Sequence, residues 1–246
     1  MEKVNLEQTL VLIKPDAMKN SLTGYILSQL SEFHTGLRFA GAKIVNVGRI
    51  LAEEHYAEHL GKPFFPSLLD YIQGKLHYSD APWKRRVIAF VYLGPNAIRK
   101  VRDIAGPTNP HNAREEKPGC IRALGTVVPI KDETGKEIGD RVENLIHASA
   151  NPEDAEREIK LWFKPTDIPP EMRGYGTEII EELFYYKDNA ISRDYTPGSF
   201  CCMAPGDLVW ESDVEALRLH VQGKNAPQSV NSVVAKYLIN KEREHL

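Results

Sequence analysis

Apolar and polar positions recur along this chain with two periods, and the switches between them mark out the elements. Thr9-Leu10-Val11-Leu12-Ile13 is a compact β-prone run, ended by Pro15 because proline cannot continue strand pairing. Ile26, Leu27, Leu30 and Phe33 then keep a helical period, predicting a first helix over residues 23–35 that buries them. Residues 42–47 read as a second strand, 52–60 as a short helix closed by Gly61, and 67–73 as a helix burying Leu68, Leu69 and Ile72. The apolar run 87–92 predicts a third strand, and Gly94-Pro95-Asn96 opens a helix with the stripe Ile98, Val101 and Ala105. Residues 144–147 make a fourth strand. Asn151-Pro152-Glu153-Asp154 then supplies a cap, a first-position proline and first-turn acids for a helix that buries Ala155, Ile159 and Trp162.

Between these elements, residues 106–119 hold three prolines and little periodicity, and read as a long loop, of a length that is usually either functional or disordered. Residues 126–142 read as a protruding hairpin with no chemistry of its own. The prolines and glycines of 165–176 resemble a linker. Beyond it, helices are expected over 178–186, 213–222 and 229–242, with apolar faces that their own domain or another subunit must cover. The chain therefore divides into residues 1–165 and a helical C-terminal extension, residues 166–246.

Composition narrows the function by exclusion. A net charge of -3 over 246 residues argues against a dedicated nucleic-acid binder, while an anionic small molecule needs only a few local cations. The first residues, Met1 to Glu7, carry acids and no apolar core, so neither a signal peptide nor an anchor is expected there, and no later run is long enough to span a membrane. Cys120, Cys201 and Cys202 make no disulfide framework or zinc spacing and fit a reducing cytosol.

The candidate chemistry centres on His147 at a strand end, where a neutral imidazole can act as a nucleophile without a separate base. Taken alone, His147 fits a hydrogen-bonded structural histidine as well. Lys14, Arg102, Thr108 and Arg122 are the cationic and hydroxyl residues that a polyphosphate would need. His55 and His59, four apart, could face one metal, but without a third ligand at a recognisable spacing they read as solvated. Phe65 reads as a core plug and Phe64 as either a second plug or a flat face for a base. Glu158 reads as a solvated helix acid. No Gly-rich loop ending in Lys-Ser/Thr is present, which excludes a P-loop phosphate cradle.

Read together, Ile13-Lys14-Pro15-Asp16, Glu54-His55-Tyr56, Lys62-Pro63-Phe64-Phe65, Gly106-Pro107-Thr108-Asn109-Pro110, Lys117-Pro118-Gly119-Cys120-Ile121-Arg122, Asn144-Leu145-Ile146-His147 and the run from Ala155 to Phe163 resemble the nucleoside diphosphate kinase family. The resemblance implies an α+β, ferredoxin-like βαββαβ antiparallel sheet with helices on one face. It also implies phosphate transfer from nucleoside triphosphates to diphosphates by a ping-pong route through phospho-His147. Phe64 would then stack on the base, Lys14 and Asn144 would meet ribose and phosphates, and Arg102, Thr108 and Arg122 would hold the phosphates. Tyr56 would lie near the transferred group, while Glu158 and Ser149 would fix the histidine ring. Mg2+ would arrive on the nucleotide, held mainly by phosphate oxygens, and the protein would be a cytoplasmic homo-oligomer with broad base tolerance.

Departures accompany this likeness. The family's His-Gly-Ser-Asp stands here as His147-Ala148-Ser149-Ala150, without its carboxylate, and the segment 74–85, the loop before Lys117 and the hairpin 126–142 are longer than the family pattern. These changes and the extension leave open a nucleotide-binding or assembly module with little turnover.

Overall fold

The computed structural model describes residues 6–239. The N-terminal residues 1–5 and the end of the helix expected over 229–242 lie outside the described residues. At the centre is β1 (Leu6–Ile13), buried without interruption from Gln8 onward. A strand with one wet face would alternate. This one does not, because Leu10 and Leu12 enter one apolar core while Val11 and Ile13 enter a second.

Next come α1 (Pro15–Lys19), α2 (Thr23–Gln29), α3 (Glu32–Thr35), β2 (Arg38–Val45), α4 (Arg49–His55) and α5 (Phe65–Ile72). They are followed by β3 (Val87–Pro95), α6 (Ala97–Ala105) and α7 (Pro110–Glu116). Strands β4 (Thr126–Lys131) and β5 (Glu137–Glu143) pair as a separate ribbon, and β6 (Ile146–Ala148) leads into α8 (Pro152–Trp162). The main sheet has the order β2-β3-β1-β6 and is antiparallel at every pairing. Helices α4, α5 and α8 contribute to the Leu10 and Leu12 core, α2 and α6 to the Val11 and Ile13 core. The sheet is thus covered on both faces rather than on one.

Local chemistry accounts for the other differences. The helix expected over 23–35 divides because Ser31 accepts from the His34 N–H and restarts the helix in a new phase, leaving Phe33 fully exposed. Residues 106–119 are not all loop: Asn109 caps α7 and Pro110 occupies its first turn. The fourth strand begins at Ile146, two residues later than expected.

The extension is mixed rather than helical. It contains β7 (Thr177–Ile179), β8 (Phe184–Lys187), β9 (Ala190–Ser192), β10 (Phe200–Met203), β11 (Leu208–Trp210), α9 (Glu211–Val221) and α10 (Val230–Leu238). The helical period of 178–186 loses to the β-branched and aromatic residues Ile179, Phe184, Tyr185 and Tyr186, whose backbone finds strand partners in β10 and β11. The expected linker is a packed strap. Ile168 is 1% exposed, and the Gln8 side chain donates to the Met172 carbonyl at 2.6 Å. Trp210 enters the core shared with Leu10 and Trp162, and its indole N–H donates to the Phe163 carbonyl at 2.8 Å. Helix α10 lies against α4 and α8, and Ser229 at its cap donates to Glu54 at 2.9 Å. No helix among the described residues is long and apolar enough to cross a membrane.

Because one core spans both parts, Trp210→Ala should lower stability by about 3–5 kcal/mol. In urea, fluorescence and circular dichroism should then shift together as one transition. Separate transitions for the two parts would contradict a shared core.

Candidate active site

Three neighbouring backbone features place the site. Leu145, at the turn into β6, has φ 70°, a conformation that costs a branched-chain residue of order 1–3 kcal/mol unless its surroundings impose it. They do so here: the Leu145 N–H donates to Asp16 Oδ2 at 3.0 Å, and its carbonyl accepts from the Lys14 N–H at 2.9 Å. The Ile146 N–H closes the turn on the Asn144 carbonyl at 2.7 Å. His147 then stands opposite Leu12, so its side chain faces α8.

The imidazole is tethered from one side. His147 Nε2 lies 2.8 Å from Glu158 Oε2, and the same oxygen accepts from Ser149 Oγ at 2.7 Å. Ser149 is fully buried and accepts from the Leu10 N–H at 3.1 Å, which ties this cluster to β1. Burial by itself would raise the Glu158 pKa, but the charge and hydrogen bond of His147, with His55 and Ser149, pull it down to about 2. Glu158 is therefore a carboxylate at neutral pH. It accepts Nε2–H and leaves His147 Nδ1 without a hydrogen bond among the described residues.

Around His147 lies a cavity of about 370 Å³. Lys14, Arg102, Thr108, Arg122 and Asn144 line it together with His147, Glu158, Tyr56 and Phe64. Of the ten residues given site roles by the family resemblance, only Ser149 is outside this wall, hydrogen-bonded to Glu158. Lys14 Nζ donates to Asn144 Oδ1 at 2.7 Å, and Asn144 Nδ2 to the Thr108 carbonyl at 2.9 Å. Burial, reinforced by Arg122 and opposed by Asp16, lowers the Lys14 pKa to about 7. Burial and the charge of Arg102 lower Arg122 to about 10. Arg122 donates to the carbonyls of Gly106 and Ile146, at 2.9 and 3.4 Å, while its buried Nε has no partner. Three cations that repel one another in a partly dry cavity favour an anionic guest. A shallower concavity of about 680 Å³ beyond Arg102 holds neither His147 nor Glu158.

His55 departs from the sequence reading, for it is only 3% exposed. Its Nδ1 accepts from the Trp162 indole N–H at 3.2 Å, and its ring meets those of His147 and Tyr56 edge-on at 4.5 and 4.6 Å. Burial holds its pKa well below the usual histidine value, so it is neutral. The signal was present: Leu51, Ala52 and His55 share one helical face. His59 is part-exposed, stacked at 6.1 Å from Tyr56 and edge-on at 5.6 Å to Phe64. Phe65 is a core plug, as expected, and Phe64 remains partly exposed. The hairpin also contributes Asp140, Arg141 and Val142 to the cavity wall, although it had suggested no chemistry.

Metal-binding capacity is limited. Potential ligand atoms of His55, His147 and Glu158 fall within 4.8 Å of one another, the one such group among the described residues. Of their nitrogens, His147 Nε2 and His55 Nδ1 already hold hydrogen bonds, His55 Nε2 is buried without a partner, and Ala150 adds no carboxylate at the cavity wall. This donor set suits a cation whose ligands come mainly from a bound polyphosphate.

Comparison with known proteins agrees with this geometry. The family model for nucleoside diphosphate kinase matches residues 7–168. The nucleoside diphosphate kinase of Thermococcus kodakarensis is 42% identical over 168 residues, covering 68% of this chain and 83% of that protein. That of Pyrococcus furiosus is 44% identical over 163 residues, covering 66% and 86%. Among solved structures, the Aquifex aeolicus enzyme has a TM-score of 0.52 at 32% identity, covering 67% of this chain and 100% of that one. A transition-state mimic of the Borrelia burgdorferi enzyme, with bound vanadate and ADP, has a TM-score of 0.52 at 30% identity, covering 69% and 94%. With a family model spanning 7–168 and relatives above 40% identity, the chain belongs to the nucleoside diphosphate kinase family.

Proposed function

We propose that the protein is a nucleoside diphosphate kinase working by a ping-pong mechanism through phospho-His147. The observation that carries this is the tether of His147 Nε2 to the Glu158 carboxylate, which leaves Nδ1 as the nucleophilic nitrogen in a cavity lined by Lys14, Arg102 and Arg122. As the bond from Nδ1 to the terminal phosphorus forms, the bond from that phosphorus to its bridging oxygen breaks and a nucleoside diphosphate leaves. The second half-reaction runs the same step in reverse with a different diphosphate. Nε2 keeps its proton throughout, and Glu158, ionised at neutral pH, balances the charge that grows on the phosphorylated ring.

The other roles follow from position. Lys14, Arg102 and Arg122 offset charge on the phosphate oxygens. Thr108 and Asn144 bind phosphates and ribose, and Tyr56 lies beside the transferred group. Phe64 offers its face to the base, which implies broad base tolerance. Mg2+ bound to the phosphates would screen their charge, with the protein itself contributing few ligands. Strand order and pairing support a ferredoxin-like reading of the catalytic unit, residues 1–165, with 166–246 as an appended unit. The free cysteines support a cytosolic location, and the family supports a homo-oligomer.

Incubation with γ-labelled ATP and Mg2+ should place acid-labile, base-stable label on the protein, and His147→Ala should abolish it. Equal labelling of that variant would end the reading. Glu158→Gln should lower the labelling rate about 10- to 100-fold in single-turnover experiments, since it removes the charged partner that orients the ring. Lys14 makes binding pH-dependent with a definite sign. Its amine titrates near 7 in the free protein, and a bound polyphosphate favours the charged form, so binding takes up a proton above pH 7. ADP affinity should fall between pH 7.5 and 9, by at most about tenfold per pH unit. Calorimetry in buffers of different ionisation enthalpy should show the uptake, and Lys14→Met should remove the slope.

A further inference from the structure

Two segments longer than the family pattern, residues 74–85 and the hairpin of β4 and β5, carry no step of the proposed reaction, yet they meet. His77 Nε2 lies 3.0 Å from Glu143 Oε2, a contact across 66 residues of sequence, and both side chains are only 12% exposed. Arg141 holds the other oxygen of Glu143, donating from Nε and one terminal nitrogen at 2.9 and 2.7 Å, and its second terminal nitrogen donates to Ser67 Oγ of α5 at 3.1 Å. Burial by itself would raise the Glu143 pKa, but the hydrogen bonds of His77 and Arg141 pull it below its ordinary value. Glu143 is thus ionised at neutral pH, and His77 Nε2 donates to it.

The hairpin needs such an anchor. Strands β4 and β5 pair only with each other among the described residues, and Glu137 to Asp140 are exposed. A two-stranded ribbon is marginal in water by itself, and movement at its root would pass directly into the next residue, Asn144. Asn144 Oδ1 is the acceptor that holds Lys14 Nζ, at 2.7 Å. A second path leaves His77 from its ring. The ring centroid is 5.5 Å from that of Tyr71, a fully buried residue of α5, and Lys14 Nζ stands 5.2 Å from the same Tyr71 centroid. His77 therefore backs both supports of the Lys14 ammonium: Asn144 through the adjacent Glu143, and Tyr71 by ring contact.

We propose that His77 is a positioning residue for phosphoryl transfer, which clamps Glu143 and packs on Tyr71 and so fixes the Lys14 ammonium against the phosphates. The 74–85 segment and the hairpin are then one device, the first locking the root of the second. This proposal rests on the phosphate-binding role of Lys14 in the proposed function.

The test measures Kd for ADP and for inorganic tripolyphosphate by calorimetry, and the single-turnover labelling rate, with the full chain and its variants. His77→Leu should lower the labelling rate about 10- to 100-fold and weaken ADP and tripolyphosphate alike, because the displaced ammonium serves the phosphates and not the base. Glu143→Gln, which leaves one acceptor oxygen where two are used, should change in the same direction. His77→Gln should keep most of the rate, since its amide can donate where Nε2 does. Combined with Lys14→Met, His77→Leu should leave ADP affinity within about threefold of Lys14→Met alone, because changes that act through one group do not multiply. Unchanged labelling in both His77→Leu and Glu143→Gln, a loss as large in His77→Gln as in His77→Leu, or losses that multiply with Lys14→Met would each overturn the proposal. Failure of the unaltered protein to bind nucleotide or take up label would instead count against the kinase reading itself.

Discussion

The contact between His147 Nε2 and the Glu158 carboxylate is the interaction on which the site depends. It joins the edge of the sheet to α8, and Ser149 extends it to the β1 backbone. A mobile imidazole could present either nitrogen to a substrate. One whose Nε2–H is committed to a buried carboxylate presents Nδ1 from a fixed direction, which is the alignment that phosphoryl transfer needs. The ionised state of Glu158 follows from the groups it binds, since burial alone would favour the neutral acid.

The surroundings exist to hold that contact rigid. Trp162 lies one turn beyond Glu158 on α8, and its indole anchors His55, whose ring edge packs on His147. The same tryptophan shares a core with Trp210 and Ala235 of the extension. Helix α10 backs both α4, which carries His55, and α8, which carries Glu158. The extension therefore bears on the geometry of the site without lining the cavity itself.

Much of this was legible in the sequence, for identifiable reasons. The central strands, α6 and α8 have strong periods and clear caps, and nine of the ten chosen site residues line one cavity. What escaped notice depended on context. His55 was read singly, although its helical phase with Leu51 and Ala52 put it inside. Arg141 and Glu143 were hidden in a hairpin judged only by its turn. Residues 178–186 have a convincing helical period, but pairing with β10 and β11 decided their conformation. Phe33 was misplaced because Ser31 interrupts the helix, and a cap inside a periodic run resets the phase of everything after it.

The strand that carries His147 is three residues long and, among the described residues, pairs only with β1, at the rim of the sheet. A long strand there would show a row of unsatisfied backbone groups to any passing chain and invite edge-to-edge aggregation. Brevity removes that hazard while leaving His147 in a frame rigid enough for chemistry. Reactivity and solubility thus make the same demand on β6: enough pairing to fix one side chain, and too little to template another molecule.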